Sequence, residues 1–242
     1  AMLNGWSALT LQPNVTLGAD NLTYCTSEAD RQSIIDNFGW TIIDAGVDPN
    51  CTLNPNFYLA PNGITCMCPD AAFGESGDPG NGIVYTKRTR AEITPANAAF
   101  TCTSGITDMQ SLFANQQGFN EDISSWDVSN VTNMVAMFDN CLLFNQDISN
   151  WNVSSLTQSY YMFRDADSFN QDIGSWNVSN IINMTGMFQS CSEFNQDIGS
   201  WDVSNVTQIN NMFANAYNFN QNLENWQFSP AVSLSGFAFN SG

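Results

Sequence analysis

A twelve-residue string occurs twice in this chain, almost unchanged, at a spacing of 25 residues. Residues 169–180 read FNQDIGSWNVSN, and residues 194–205 read FNQDIGSWDVSN. Weaker copies at the same spacing define units that begin near Met109, Met134, Ser159, Met184 and Ile209, with a partial unit from Leu234. Repeats of roughly 20 to 50 residues build stacked arrays in which each unit contacts its neighbours. The repeat therefore predicts a solenoid in which each unit forms one coil.

The apolar positions within a unit predict which side chains face the interior of a coil. Ile148, Trp151 and Val153 have the i, i+3, i+5 spacing found around the strand of a leucine-rich repeat. Residues 134–140 carry apolar side chains at i, i+3 and i+4, which indicates one or two helical turns on the opposite face. We therefore expect an α/β solenoid, a right-handed, leucine-rich-repeat-like stack of coils of about 25 residues each.

One tryptophan recurs in every unit, and two roles are open to it. Exposed, stacked indoles would form a platform for sugars or nucleobases, whereas the spacing beside Ile and Val places them in the core. Burial of such large aromatic side chains contributes strongly to stability, which favours the core. The column comprises Trp126, Trp151, Trp176, Trp201 and Trp226.

Two polar columns need separate explanations. An Asn at a coil corner can bond the backbone of its own coil and the next, which predicts a structural ladder. Stacked carboxylates about 5 Å apart would repel by roughly 1 to 3 kcal/mol per pair, so the aspartates need partners. Backbone N–H groups and Ser hydroxyls in a turn cap are favoured over a row of calcium ions, because the adjacent column is mostly neutral Gln. We expect no cofactor, with calcium as the alternative. The columns are Asn120, Asn145, Asn170, Asn195 and Asn220, and Asp122, Asp147, Asp172 and Asp197.

Five of the seven cysteines lie in the first 102 residues, which predicts disulfides and an oxidising, extracytoplasmic location. Cys25 and Cys51 bracket one predicted segment and form one expected pair. A bond between Cys68 and Cys102 is the second expectation, and it leaves Cys66 unpaired. Zinc is the rival interpretation, but a single CxC without His is a weak metal signal.

Two further cysteines fall at the same position of the repeat, two coils apart. Cys141 and Cys191 would have alpha carbons about 10 Å apart, which is too far for a disulfide. We expect both to be free, buried thiols that act as small apolar residues.

The sequence before the repeats is predicted to close the open end of the stack, because the apolar edge of a coil cannot be left in water. Residues 1–52 are predicted to form a strand, a helix and a strand. Residues 53–102 contain a predicted hairpin and a Gly-rich loop without a phosphate-binding motif. We expect these residues to form a disulfide-containing α+β cap on a solenoid at residues 103–242.

The charge balance argues against a nucleic-acid partner. The formal net charge is −18, with five Lys and Arg, 23 Asp and Glu, and no His. Such a surface repels phosphate backbones, so we expect no nucleic-acid partner.

No segment approaches the roughly 20 apolar residues of a membrane-spanning helix, so no direct membrane insertion is expected. Carboxylates occur in repeated columns instead of one converging pair, and no Ser has a His to activate it, so we predict that the protein is not an enzyme.

Basic residues concentrate at one place. Lys87, Arg88 and Arg90 lie together just before the repeats. On a very acidic protein they are predicted to form local ion pairs, and contact with an external carboxylate or sulfate is the alternative.

The third unit departs most from the repeat. Tyr160 and Tyr161 follow Ser159, where other units have an apolar residue and then smaller residues, and Arg164 is the only basic residue in the repeats. Tyr and Arg are favoured at interface hot spots. We therefore predict that Tyr160, Tyr161 and Arg164 bind a partner, although a Tyr could instead fill the space left by the missing Met.

These repeats resemble a known family. The strings NMVAMFDNCLLFNQDISNWNVSSLT and NMTGMFQSCSEFNQDIGSWDVSNVT resemble the BspA-like leucine-rich repeats, bacterial surface-protein repeats catalogued as a domain of unknown function in mycoplasma and marine Bacteroidetes. The resemblance runs from about residue 103 to the C-terminus. It implies a secreted or cell-surface protein and an adhesive role, and it brings no catalytic residues. We expect a non-catalytic recognition or adhesion scaffold that binds an extracellular protein or cell-surface ligand, with a carbohydrate-binding or calcium-dependent adhesion module as the alternative.

Overall fold

The computed structural model describes residues 13–19, 34–44, 54–228, 230 and 232–241. The predicted pair of Cys25 and Cys51 lies outside these residues. Within them, no helix is both long enough and apolar enough to cross a membrane.

A small parallel sheet forms near the N-terminus. Strands β1 (Thr16–Ala19) and β2 (Thr41–Asp44) pair in register, and residues 34–38 are helical. Gly39 has a φ of +66° and ends this helix before the chain enters β2. The helix and β2 bury a small apolar cluster of Ile34, Trp40 and Ile42.

The segment between this sheet and the repeats contains short strands. An antiparallel hairpin joins β3 (Tyr58–Leu59) to β4 (Cys66–Met67). Strand β5 (Ser76–Gly77) pairs antiparallel with β6 (Tyr85–Lys87), which pairs parallel with β7 (Thr101–Cys102). These elements bury their own apolar cluster, which includes Phe57 and Tyr85. Two 3₁₀ helices, Arg90–Glu92 and Pro95–Phe100, lie between β6 and β7.

This segment is fastened to the first repeat unit. A disulfide joins Cys68 to Cys102. The backbone N–H of Cys66 donates to the carbonyl of Ser125 at 2.7 Å. The indole N–H of Trp126 donates to the carbonyl of Ala98 at 2.9 Å. The disulfide therefore closes the segment itself at β7, and hydrogen bonds connect the segment to the first unit.

Successive repeat units stack on one another in parallel. In one stretch of each unit, alternate N–H groups donate to carbonyls 24 residues later, as Phe138 does to Met162 at 2.9 Å and Phe163 to Met187 at 3.0 Å. Isolated parallel bridges mark the same register. They join Asp108 to Asn133, Asn133 to Gln158, Gln158 to Asn183, Asn183 to Gln208, and Gln208 to Ser233.

The backbone of a unit is built from turns. The helical prediction for residues 134–140 is wrong, because Ala136 and Asn140 have φ values of 52° and 57° and donate their N–H groups to the next unit. The residues around Trp151 are not in a strand either. Bonds between units thus replace bonds within a helix or strand, and the leucine-rich-repeat-like solenoid class stays a prediction.

One apolar cluster runs through all the units. Phe163 stacks on Phe138 at 5.5 Å and on Phe188 at 5.6 Å between ring centroids. The Trp column lies beside these rings, and its members are only 1% to 6% exposed. Each Trp of the column donates its indole N–H to a carbonyl 28 residues earlier, as Trp176 does to Ile148 at 3.1 Å. The large aromatic side chains are therefore packed against the adjacent units and do not face water.

Candidate binding site

The Asn column forms a ladder of hydrogen bonds between units. Asn145 Oδ1 accepts the backbone N–H of Asn170 at 3.0 Å, and Asn170 Oδ1 accepts that of Asn195 at 3.0 Å. The following Gln also reaches back, since Gln171 Nε2 donates to the carbonyl of Asn145 at 3.0 Å. The same bonds join Asn120 to Asn145 and Asn195 to Asn220. The side-chain amides of this column are therefore occupied by hydrogen bonds that connect one unit to the next.

The Asp column forms turn caps. Asp147 Oδ1 accepts the N–H of Ser149 at 2.9 Å, and Asp172, Asp197 and Asp122 make the same bond two residues on. Hydrogen bonds from the Ser149 side chain and backbone lower the pKa of Asp147. Asn222 makes this cap in the fifth unit without a charge. Among the described residues, no group of three or more Cys, Asp or Glu could hold a metal ion.

The free thiols are buried. Cys141 and Cys191 donate to the carbonyls of Phe113 and Phe163, at 3.0 and 2.7 Å. Burial raises the pKa of Cys141 to about 12 and raises that of Cys191 as well. Cys66 is also free, and burial followed by the charge of nearby carboxylates raises its pKa to about 12. All three stay protonated at neutral pH, so none is an activated nucleophile.

Among the described residues, no carboxylate lies within ion-pair distance of Lys87, Arg88 or Arg90, and the predicted ion pairs stay a prediction. Lys87 donates to the carbonyl of Pro69 at 2.8 Å, and Arg88 donates to that of Phe100 at 2.8 Å. Arg90 bonds the carbonyl of Gln110. Backbone carbonyls therefore accept hydrogen bonds from all three cations in the folded structure.

The unusual residues of the third unit come together at the surface. The rings of Tyr160 and Tyr161 meet edge to face at 5.7 Å. The guanidinium of Arg164 lies over the Tyr161 ring, 4.4 Å from its centroid. All three side chains are half-buried. We call them the third-unit cluster.

An aspartate from the preceding unit holds the cluster in place. Arg164 donates from Nε and Nη2 to the two carboxylate oxygens of Asp139, at 2.7 and 2.6 Å. This pairing raises the pKa of Arg164, with the hydrogen bonds to Asp139 as the largest cause. Two parallel charge-assisted bonds fix the plane of the guanidinium. Sequence reasoning missed Asp139, although the signal was available, since it lies 25 residues before Arg164 and has the opposite charge.

The next unit leaves room for the cluster. Gly186 has a φ of +56°, and a Cβ there would lie 2.5 Å from the Tyr161 ring. Ser159 is buried in the place of the usual Met and donates to the carbonyl of Asn183 at 3.3 Å. The Tyr161 ring therefore covers Gly186 at the surface of the stack.

A double-mutant cycle tests this contact. We expect Gly186→Ala to lower the free energy of unfolding by about 1 to 2 kcal/mol, because the added methyl displaces the Tyr161 ring. Ala136 occupies the same position of the second unit with a φ of 52°, so the backbone itself accepts Ala there. In a Tyr161→Ala background the cost should fall by at least half, as measured by denaturant unfolding. An equal cost in both backgrounds would place the strain in the backbone instead.

A family comparison covers this region. The family described as "Mycoplasma protein of unknown function, DUF285" matches residues 87–188 and 161–241. The two matches overlap and together span more than half of the chain. The chain belongs to this family. The matched residues run from the end of β6 through every unit, so they include the third-unit cluster and Asp139. No curated protein and no solved structure matches the chain.

Proposed function

We propose that this protein is a non-catalytic, secreted or cell-surface recognition scaffold that binds a protein partner through the third-unit cluster. The observation that carries the proposal is the pre-assembled arrangement of Tyr160, Tyr161 and Arg164 at the one unit that breaks the repeat. We also propose that the stack is a solenoid of the BspA-like leucine-rich-repeat type. The Cys68–Cys102 disulfide supports an oxidising, extracytoplasmic location.

The physics of hot spots supports this proposal. Aromatic and Arg side chains dominate binding energy where they are held rigidly before binding, because less conformational entropy is then lost. Asp139 and the Tyr161 ring fix Arg164, while Nη1 makes no hydrogen bond to any described residue. That nitrogen is free to donate to a carbonyl or carboxylate of the partner.

The alternative of a carbohydrate-binding module has less support. Its stacking platform would require exposed Trp rings, whereas the Trp column is buried and Phe rings pack beside it. A calcium-dependent module would use the Asp column, whose Oδ1 atoms already cap turns. We therefore propose a protein ligand.

Binding assays on purified components test this function. The protein would be screened against purified matrix proteins and glycans, with calcium and with chelator. We expect a protein ligand whose binding does not depend on calcium. Combined replacement of Tyr160, Tyr161 and Arg164 by Ala should weaken that binding by about thirtyfold or more, the effect of removing a hot spot.

Tyr217→Ala is the matched control, because Tyr217 is 60% exposed in the fifth unit and lies outside the cluster. It should leave the affinity unchanged. Unchanged affinity of the triple variant would refute the assignment of the site. A glycan ligand whose binding is lost with chelator would refute the proposed class of partner.

A further inference from the structure

A recess lies where the β3–β4 hairpin meets the first two units. It has a volume of about 260 Å³. Hairpin residues Asn62 and Met67 line one side, and Asp127 and Asn152 line the other. Pockets for drug-sized ligands are generally larger, at roughly 300 to 1,000 Å³, so this recess suits a single side chain.

One carboxylate oxygen at this recess has no partner. Asp127 is only 4% exposed, and its Oδ1 accepts the N–H and hydroxyl of Ser129 at 3.1 and 2.6 Å. Its Oδ2 is buried without a hydrogen bond. An unpaired buried charge is costly, and each such group in a folded protein calls for an explanation.

The repeat shows that the turn cap formed by Asp127 does not require a charge. Asn152 and Asn177 occupy the same column and accept the same two bonds from the following Ser. Asp202 also stands in this column but is exposed. An Asn at 127 would thus cap the turn equally well and would leave no buried anionic oxygen. The second oxygen of Asp127 therefore calls for a role beyond the cap.

We propose that this recess binds the ammonium or guanidinium end of a basic side chain presented by the protein partner, with Asp127 as its counter-ion. A charged donor would satisfy Oδ2, and Met67 and Val128 at the recess would contact the aliphatic part of the chain. The net charge of −18 attracts a basic partner. Because Oδ2 is itself buried, binding includes a small side-chain adjustment at the wall, as is common at interfaces.

The inference rests on the proposed function, but small probes test it separately. N-acetyl-lysine amide and N-acetyl-arginine amide would be titrated into the protein and followed by amide NMR shifts, with N-acetyl-norleucine amide as the neutral comparison. We expect saturable shifts at Asn62 and Ser129 with the two cationic probes only. Asp127→Asn keeps the cap and should weaken their binding by about tenfold or more. Asp202→Asn makes the same chemical change in the same column away from the recess, and it should change nothing.

Two outcomes with the small probes would overturn this inference. One is the absence of saturable shifts, which would mean that the recess does not accept a cationic side chain. The other is that the norleucine probe binds as tightly as the cationic probes, or that the cationic probes bind the Asp127→Asn variant as tightly as the unchanged protein. With the whole partner, loss of binding in the third-unit triple variant alone would leave the proposed function standing and remove this recess from the interface. Loss of binding in Asp127→Asn alone would place the recess in the interface and refute the third-unit cluster as the binding site.

Discussion

Trp176→Ala is expected to lower the free energy of unfolding by about 3 to 5 kcal/mol, the range for removing a large buried aromatic side chain. The Trp176 ring stacks on Trp151 at 6.4 Å and contacts Phe163 at 6.4 Å between centroids. Its loss opens a cavity in the middle of the stack and leaves the Ile148 carbonyl without its bond at 3.1 Å. Denaturant unfolding followed by fluorescence and by circular dichroism would measure the change.

Two further variants separate packing from hydrogen bonding. Trp176→Phe keeps most of the apolar volume but loses the indole N–H, so it should cost less than Trp176→Ala. Tyr217→Ala removes an exposed aromatic and should change stability by less than about 0.5 kcal/mol. A loss below about 1 kcal/mol for Trp176→Ala would contradict the buried position of this column.

Removal of the Cys68–Cys102 disulfide is expected to lower the free energy of unfolding by about 3 to 4 kcal/mol. The bond closes a loop with a sequence separation of 34 residues, and its loss restores conformational entropy to the unfolded chain. The pairing of β6 with β7 and the hydrogen bond from Trp126 to Ala98 remain without the disulfide, so we expect residues 54–102 to loosen before the repeats do. Hydrogen exchange at β7 and at the central units would show this order.

The cysteine background must be controlled. Cys66 is free and buried beside this bond, so Cys66→Ala serves as the reference chain, with Cys68→Ala and Cys102→Ala added together. Cys141→Ala is a matched control, because it removes a buried thiol that forms no disulfide. Equal stability of the Cys66→Ala reference and of the chain with Cys68→Ala and Cys102→Ala added would show that hydrogen bonds alone hold residues 54–102 in place.

Periodic features of the sequence predicted much of the molecule. The spacing of Ile148, Trp151 and Val153 indicated which side chains lie inside, and the structure buries them. The recurrence of Asn indicated a ladder, and Asn120, Asn145, Asn170 and Asn195 each bond the next unit. A polarity pattern that recurs every 25 residues carries this information, because every unit must repeat the same burial and the same corner bonds.

The candidate site was only partly predictable. The break in the repeat indicated Tyr160, Tyr161 and Arg164, but their mutual contacts and the part played by Asp139 depend on the stacking of adjacent units. The hydrogen-bond partners of Lys87, Arg88 and Arg90 could not be predicted for a related reason. Composition shows how many acids are present but not which carbonyls the fold brings near a cation.

The sequence by itself determined the repeat, its inward columns and the unit that breaks it. Only the tertiary structure decided the backbone of each unit, because alternate N–H groups of residues 134–140 bond the next unit instead of closing a helix. It also decided that Asp127 is buried and Asp202 exposed, although both occupy one column, because only the first lies against the hairpin. A local pattern specifies what each unit repeats, whereas contacts between distant segments determine what each copy faces.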